Sequence, residues 1–322
     1  MSSSQACSSQ KSLIETKLVN LFAKRAGQPT SSPWQAIEDL VAGLRKSVQS
    51  NSSLFLTRCL EQRRVIESRI QQELACDGYI EPVGTRFDDG FRLVLDGKVS
   101  LTRRRFTVAH EICHTFFYEL VPEIKFTPHE TDPFEEKLCN YGAAALLIPA
   151  EDLIVRSKGK DPSLLMLEEL SGHYGVSIEA MHNRLRGLRV WNSELSIWHC
   201  MTGGRFVLDR LHGGFKADWH WFDETILERT RQEKTDQPAS GRTFVYFCHS
   251  SGESWTKPVY YQIKRRGMSL VALWSPRPFQ NGTERRETLF HSHGKTCRVR
   301  RSRKLPGVSL GSRQTLRATS PR

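Results

Sequence analysis

The run His110-Glu111-Ile112-Cys113-His114 constrains this chain more than any other stretch of its sequence. Residues four apart on a helix lie about 40° from each other around the axis, so His110 and His114 can reach the same point in space. Two imidazoles on a buried face are costly unless they are paired or bind a metal ion. The run therefore predicts a helix that carries two ligands of one metal ion, with Glu111 beside them.

The residues around this run have the apolar spacing of a partly buried helix, and Thr102 is a candidate N-cap. The predicted buried stripe consists of Phe106, Ala109, His110, Cys113, His114 and Phe117. In an H-E-x-x-H helix the metal is typically zinc, which lowers the pKa of a bound water towards 7, and the glutamate accepts the proton. The spacing thus predicts zinc ligation by both histidines and a general base at Glu111.

A third protein ligand is needed, and a second predicted helix can supply it. Asp132 suits the N-cap and Pro133 the first helical position. Glu135 stands three residues after the cap and can fold back on it as in a capping box, whereas Glu136 has no such local role. We predict Glu136 as the third ligand, with Glu135 as the alternative. Alternatively, neither glutamate binds metal, and both belong to a solvated acidic first turn that the helix dipole favours.

Two stretches resemble the ImmA/IrrE zinc metallopeptidases. Residues 105–114 are RFTVAHEICH, similar to the family pattern R-F-T-x-A-H-E-x-x-H. Residues 136–149 are EKLCNYGAAALLIP, similar to E-x-x-A-N-x-F-A-A-x-L-L-x-P. The resemblance spans residues 78–190 and implies one zinc ion per chain, a zincin-like (gluzincin) fold and endopeptidase activity.

Three residues depart from the family pattern. Cys139 stands where alanine is usual, Gly142 where phenylalanine is usual, and Cys113 where a glycine usually precedes the second histidine. None of them is a proposed ligand. The two cysteines could couple the site to oxidation, although a buried cysteine is ordinarily a small apolar residue.

The resemblance also implies a type of substrate. Family members characteristically cleave a helix-turn-helix repressor, which derepresses phage, mobile-element or stress genes. We therefore expect a restricted substrate, a helix-turn-helix transcriptional repressor or antitoxin, because an unregulated cytosolic protease would harm its host. Tyr118 and Tyr141 are the candidate donors to the oxyanion.

Composition indicates a cytoplasmic protein. The eight cysteines are scattered without a C-x-x-C pair, and the longest apolar run, residues 143–148, is too short to span a bilayer. The net charge of +12 is concentrated in residues 296–322, which contain eight Arg and Lys and no acid. This tail could contact nucleic acid weakly through phosphates, or it could simply be a solubilising segment.

The predicted fold class is α+β, with a zincin-like core between other segments. The predicted divisions are a disordered segment 1–32, a helical region with the peptidase core 33–150, a helix-turn-helix-like segment 151–190, an α+β domain 191–290 and a basic disordered tail 291–322.

Before the H-E-x-x-H run we predict helices over residues 33–48 and 54–74 and a strand over 91–95. That strand is the candidate edge for an extended substrate, with an ordinary core strand as the alternative.

After the core, the spacing of residues 170–188 is typical of a helix-turn-helix, with Arg184, Arg186 and Arg189 near its second helix. Residues 164–189 could contact DNA, or they could pack internally or recognise the repressor. Beyond them, residues 244–247, 259–263 and 270–274 are predicted antiparallel strands of a possible GAF-like sensor domain, whose aromatic residues could equally form its core.

Two rival functions are open. In one, the zinc site is structural, with His129 as a possible fourth ligand, and the chain is a DNA-binding transcriptional regulator. In the other, the chain sequesters a repressor without cleaving it. Full biological effect of a Glu111→Gln variant would favour either rival.

Overall fold

The computed structural model describes residues 32–48, 54–119, 124, 132–201, 206–212, 238–248 and 254–277. The tail 291–322, all but the last residue of segment 1–32, and His129 lie outside the described residues. Seven α-helices occur in the described part: α1 (Pro33–Val48), α2 (Phe55–Gln62), α3 (Leu101–Tyr118), α4 (Pro133–Leu147), α5 (Ala150–Ser157), α6 (Leu164–Tyr174) and α7 (Ile178–Gly187).

The strands in the described part form two sheets. The first contains β1 (Val65–Gln71), β2 (Gly78–Pro82) and β3 (Phe91–Asp96) in the order β1-β3-β2. The second contains β4 (Glu194–Cys200), β5 (Phe206–His212), β6 (Ala239–Cys248), β7 (Ser254–Arg266) and β8 (Ser269–Ser275) in the order β5-β4-β8-β7-β6. This mixture of helices and largely antiparallel strands confirms the predicted α+β class.

The small sheet corrects the predicted edge strand. β3 lies in the centre, parallel to β1 and antiparallel to β2. The prediction that residues 91–95 form an edge is wrong, because β3 is hydrogen-bonded on both sides and four of its side chains are buried in succession. β2 is the edge strand on the side of α3, where Gly78 allows close packing: a Cβ at this position would lie 2.9 Å from Cγ2 of Thr107.

The predicted helix over residues 54–74 is also wrong beyond its first turns. α2 ends at Gln62, Arg64 has a positive φ of 58°, and the chain continues as β1. Arg63 is buried at this junction and donates to Thr115 Oγ1 at 2.8 Å and to Glu119 Oε2 at 2.8 Å. Tertiary pairing of the β-branched strand with β3 therefore outweighs the local charge pairs that favoured a helix.

The H-E-x-x-H helix begins slightly earlier than expected. Ser100, not Thr102, is the N-cap of α3, and its Oγ accepts from the backbone N–H of Arg103 at 3.3 Å. A Ser at this position satisfies a backbone donor that the helix leaves unpaired.

α4 packs against both α1 and α3 through small side chains. A Cβ at Gly142 would lie 2.7 Å from Sγ of Cys113 on α3 and 2.9 Å from Cγ1 of Ile37 on α1. The position that usually carries phenylalanine in the family pattern therefore has no room even for a methyl group, and glycine lets three helices meet closely.

The second sheet contains the three strands predicted after residue 240 and shares a hydrophobic core with the helices. Leu195 on β4 and Val271 and Leu273 on β8 belong to the same buried cluster as the helices α1, α3, α4, α6 and α7. In addition, the side chain of Gln262 accepts from the backbone N–H of Leu164 at 2.7 Å. The core thus runs across the predicted boundary at residue 190.

Both helices of the helix-turn-helix-like segment have serine N-caps, and one of the segment's arginines is buried. Ser163 caps α6, and Ser177 caps α7. Arg184 is buried: Nη1 donates to Glu38 Oε2 at 2.8 Å and Nε to the Ile148 carbonyl at 3.1 Å. A phosphate contact by Arg184 is therefore excluded, because its guanidinium joins α7 to α1 and to the end of α4.

Candidate metal centre

Side chains of two helices converge on one point. Nε2 of His110 lies 3.0 Å from Nε2 of His114 and 3.2 Å from Oε2 of Glu136, and Nε2 of His114 lies 3.4 Å from Oε1 of Glu136. The three predicted ligands are thus brought together by the packing of α3 against α4. Side-chain exposure is 5% for His114, 13% for His110 and 35% for Glu136, so the group opens to solvent on the side of Glu136.

Hydrogen bonds at the far side of each ring orient the imidazoles. Nδ1 of His114 lies 2.8 Å from Oε1 of Glu135, and Nδ1 of His110 lies 3.2 Å from Oδ1 of Asn140. When each Nδ1 carries the proton that its oxygen partner accepts, each Nε2 presents a lone pair to the shared point. Contact with His110 and His114 also lowers the pKa of Glu136, so the third donor is an ionised carboxylate.

These donors fit a zinc ion. Three electron-pair donors facing one another repel unless a cation lies between them. In a tetrahedral site with zinc–nitrogen bonds of about 2.0–2.1 Å, neighbouring ligand atoms are about 3.3 Å apart. The observed separations of 3.0–3.4 Å match this value. One donor atom from each of the three residues lies within 4.8 Å of the other two, and among the described residues the group contains only these three.

Glu111 lies beside this group, where a general base is needed. Its side chain is buried, and its carboxylate accepts a hydrogen bond from the backbone N–H of Ile80 on β2. Burial raises the pKa of Glu111, and the neighbouring imidazoles of His114 and His110 oppose that effect. A carboxylate with a raised pKa is a stronger base than an ordinary exposed glutamate.

Glu135 has a different role from the predicted capping box. Asp132 caps α4 alone, accepting from the backbone N–H groups of Phe134 at 2.6 Å and Glu135 at 3.3 Å. The Glu135 carboxylate instead lies against His114. The contact between Asn140 and His110 was not predicted from the sequence. Its signal was the position of Asn140, four residues after Glu136 on the same helix face.

The two tyrosines proposed as donors to the oxyanion differ in the contacts that they already make. The pKa of the Tyr141 hydroxyl is raised by burial and by Glu38, with which it is hydrogen-bonded, and it also contacts Arg184. The ring of Tyr118 stacks on Phe91 with centroids 5.4 Å apart, and burial raises its pKa to about 12. Tyr118 thus remains a protonated donor near the site, whereas Tyr141 is engaged elsewhere.

The two non-family cysteines are both buried in the helix interface. Cys113 and Cys139 are fully inaccessible to solvent. Burial raises the pKa of the Cys139 thiol to about 12. Cys139 also forms a second group with His114 and Glu135, in which one donor atom of each residue lies within 4.8 Å of the other two.

The site has the ligand set of a metallopeptidase centre, and comparison with known proteins shows which family this part of the chain resembles. Residues 81–186 match the family model of the M78 peptidases, described as the IrrE N-terminal-like domain. The radiation response metalloprotease IrrE of Deinococcus deserti is 40% identical over 109 residues, which are 30% of this chain and 37% of that protein. This part of the chain is therefore similar to the ImmA/IrrE metallopeptidases.

The match with the Deinococcus protein covers about a third of each chain. Among solved structures, a Mycobacterium tuberculosis transcriptional regulator aligns over 80% of both chains with a TM-score of 0.41 and 12% identity. In the described residues, no single helix is long and apolar enough to cross a membrane. Helices α4 and α5 would reach that length only together, and they are bent by 61°.

Proposed function

We propose that this chain is a zinc-dependent endopeptidase with a zincin-like core. The observation that carries the proposal is the convergence of His110, His114 and Glu136 at 3.0–3.4 Å with the buried carboxylate of Glu111 beside them. The family match over residues 81–186 supports the peptidase class independently.

The residues present would divide the chemistry as follows. His110, His114 and Glu136 would hold a zinc ion, which would supply Lewis acidity for the scissile carbonyl and for the attacking water. Glu111 takes a proton from that water and passes it to the leaving amine. Of the two candidate tyrosines, Tyr118 is the one that we propose as donor to the oxyanion, because its pKa is raised and it stays protonated.

The edge strand β2 is the proposed dock for an extended substrate, in place of β3. In the antiparallel pair, Val83 donates to Gly90 and Asp96 donates to Asp77, so odd-numbered residues around β2 bond to β3. The N–H of Ile80 therefore points away from β3, and it reaches Glu111. A peptide that pairs along this edge would pass directly by the general base.

The substrate that we propose is a helix-turn-helix repressor or an antitoxin in the cytoplasm, whose cleavage would derepress mobile-element or stress genes. Support comes from the restricted access to the centre, which opens mainly at Glu136, and from the family match. The burial of Arg184 argues against the rival in which α7 contacts DNA phosphates through this residue.

The test compares new protein N-termini in host cells that express the chain or its Glu111→Gln variant. Glu151→Gln, which changes an exposed glutamate of α5, is the matched control. We expect a few termini that are present with the unchanged chain and the control and absent with Glu111→Gln. Identical termini for all three, in resting and stressed cells, would contradict the proposal. Full biological effect of a zinc-loaded Glu111→Gln variant would favour a rival function.

A further inference from the structure

A second set of metal-ligand atoms lies next to the candidate zinc centre. His114, Glu135 and Cys139 each contribute one donor atom, and these atoms lie within 4.8 Å of one another. Nε2 of His114 faces His110 and Glu136, whereas Nδ1 lies 2.8 Å from Oε1 of Glu135. The ring of His114 thus stands between two donor sets and offers one nitrogen to each.

The second set has its own chemical preference. An imidazole nitrogen, a carboxylate oxygen and a thiolate sulfur together favour zinc and its heavier, more thiophilic relative cadmium over magnesium or calcium. His114 and Cys139 are buried, and Glu135 is 19% exposed in its side chain, which leaves a path from solvent. Because the family pattern has alanine at position 139, this set belongs to the present chain and not to the general metallopeptidase site.

We propose that His114, Glu135 and Cys139 form a second metal position, which takes a thiophilic divalent ion, Zn²⁺ or Cd²⁺, when the ion is in excess. On binding, the ion forms bonds to Sγ, Nδ1 and the carboxylate, and the protons of Sγ and Nδ1 leave to solvent. The His114 ring, now an imidazolate, then bridges the two positions. Ion binding supplies the driving force for loss of the thiol proton.

Filling this position would inhibit the peptidase. The ion would replace the hydrogen bond by which Glu135 orients His114, so that bond would no longer hold the ring in the geometry of the first position. This consequence rests on the proposed function, whereas the existence of the second position does not.

The experiment titrates the zinc-loaded full-length chain with Cd²⁺. The ultraviolet thiolate-to-cadmium charge-transfer band reports binding to sulfur, and native mass spectrometry counts ions per chain. Cys139→Ala introduces the residue usual in the family, and Cys113→Ala removes the neighbouring buried thiol, which is outside the donor set. His110→Ala removes a ligand of the first position only.

We expect the unchanged chain and Cys113→Ala to take up a further ion with a thiolate band, and Cys139→Ala to lose both. His110→Ala should keep the band. A chain that holds its first ion and never develops the band in excess Cd²⁺ would overturn this proposal and leave the zinc centre standing. Loss of the thiolate band in Cys113→Ala, with the band kept in Cys139→Ala, would also overturn the proposed second position. A thiolate band in a chain that binds only one ion, unchanged in His110→Ala, would support the second position and contradict the proposed zinc centre.

Discussion

Nδ1 of His114 and Oε1 of Glu135 lie 2.8 Å apart across the interface of α3 and α4. The neighbouring residue Glu136 points its carboxylate at Nε2 of the same histidine, 3.4 Å away. Two adjacent glutamates thus serve one imidazole from opposite sides, one as a candidate ligand and the other as its orienting partner. Each glutamate should contribute to metal affinity, but by different amounts.

Replacing Glu135 by Ala should weaken zinc binding by about 10–100-fold, as is typical when a hydrogen-bonding partner of a metal-bound histidine is removed. Gln at this position keeps an oxygen acceptor and should recover part of the loss. Competition with a chromophoric chelator measures the affinity, and Glu151→Ala is the control. Equal zinc affinities for Glu135→Ala and the unchanged chain would refute the orienting role.

Gly142→Ala should destabilise the fold by about 1–3 kcal/mol, the usual cost of overpacking a close-packed core. The added Cβ would lie 2.7 Å from Cys113 Sγ and 2.9 Å from Ile37 Cγ1. Gly172→Ala is the matched helical control, because a Cβ there meets nothing within 4 Å. It should be neutral or stabilise by up to about 1 kcal/mol. Urea denaturation measures the free energy of unfolding of both variants. Similar values for Gly142→Ala and Gly172→Ala would contradict the packing argument.

Arg184→Met should lower the free energy of unfolding by up to about 3 kcal/mol, because it removes the cationic partner of the partly buried Glu38 carboxylate, which keeps its hydrogen bond to Tyr141. The Ile148 carbonyl also loses the donor 3.1 Å away. Arg189→Met, at an exposed residue after the same helix, should change stability by less than about 0.5 kcal/mol. If both variants unfold at the same urea concentration as the unchanged chain, Arg184 does not join α7 to α1 in solution.

Stability should fall as the pH decreases below about 6.5, in part because of His182. This side chain is fully buried, with Nε2 3.2 Å from Ser193 Oγ, and burial lowers its pKa to about 3. Arg186 and His212 add to the effect.

Below about pH 6.5 His182 therefore binds a proton in the unfolded chain but not in the folded chain. The contribution of His182 to the free energy of unfolding then falls by up to about 1.4 kcal/mol per pH unit as the pH decreases. Because burial also lowers the pKa of His212, only a variant isolates the contribution of His182. Urea denaturation between about pH 7 and pH 5 should give His182→Gln a shallower pH dependence than the unchanged chain. Equal slopes would show that His182 is not held neutral in the folded state.

The sequence predicted those elements whose signals are local. The cap at Asp132 and the helix over residues 33–48 agree with the structure, because capping and apolar spacing act within one or two turns. The spacing of His110 and His114 likewise needed only the geometry of a single helix.

The errors arose where distant parts of the chain decide the structure. Residues 65–71 form a strand because they pair with β3. The same pairing places β3 in the centre of the sheet. The Glu135 side chain contacts His114 and not the end of its own helix, and the Arg184 side chain is buried against Glu38. A local pattern cannot reveal which partner a side chain meets across a helix interface.

Zinc content and proteolysis of the same purified samples test the central claim most directly. After dialysis against zinc-free buffer, the unchanged chain and Glu111→Gln should each retain one zinc ion per chain, while Glu136→Ala should retain much less. Cleavage of the protein that the N-terminal comparison identifies should fall by about 100–10,000-fold in Glu111→Gln, as expected for the loss of a general base. Full cleavage by zinc-loaded Glu111→Gln, or undiminished zinc in Glu136→Ala, would contradict the account.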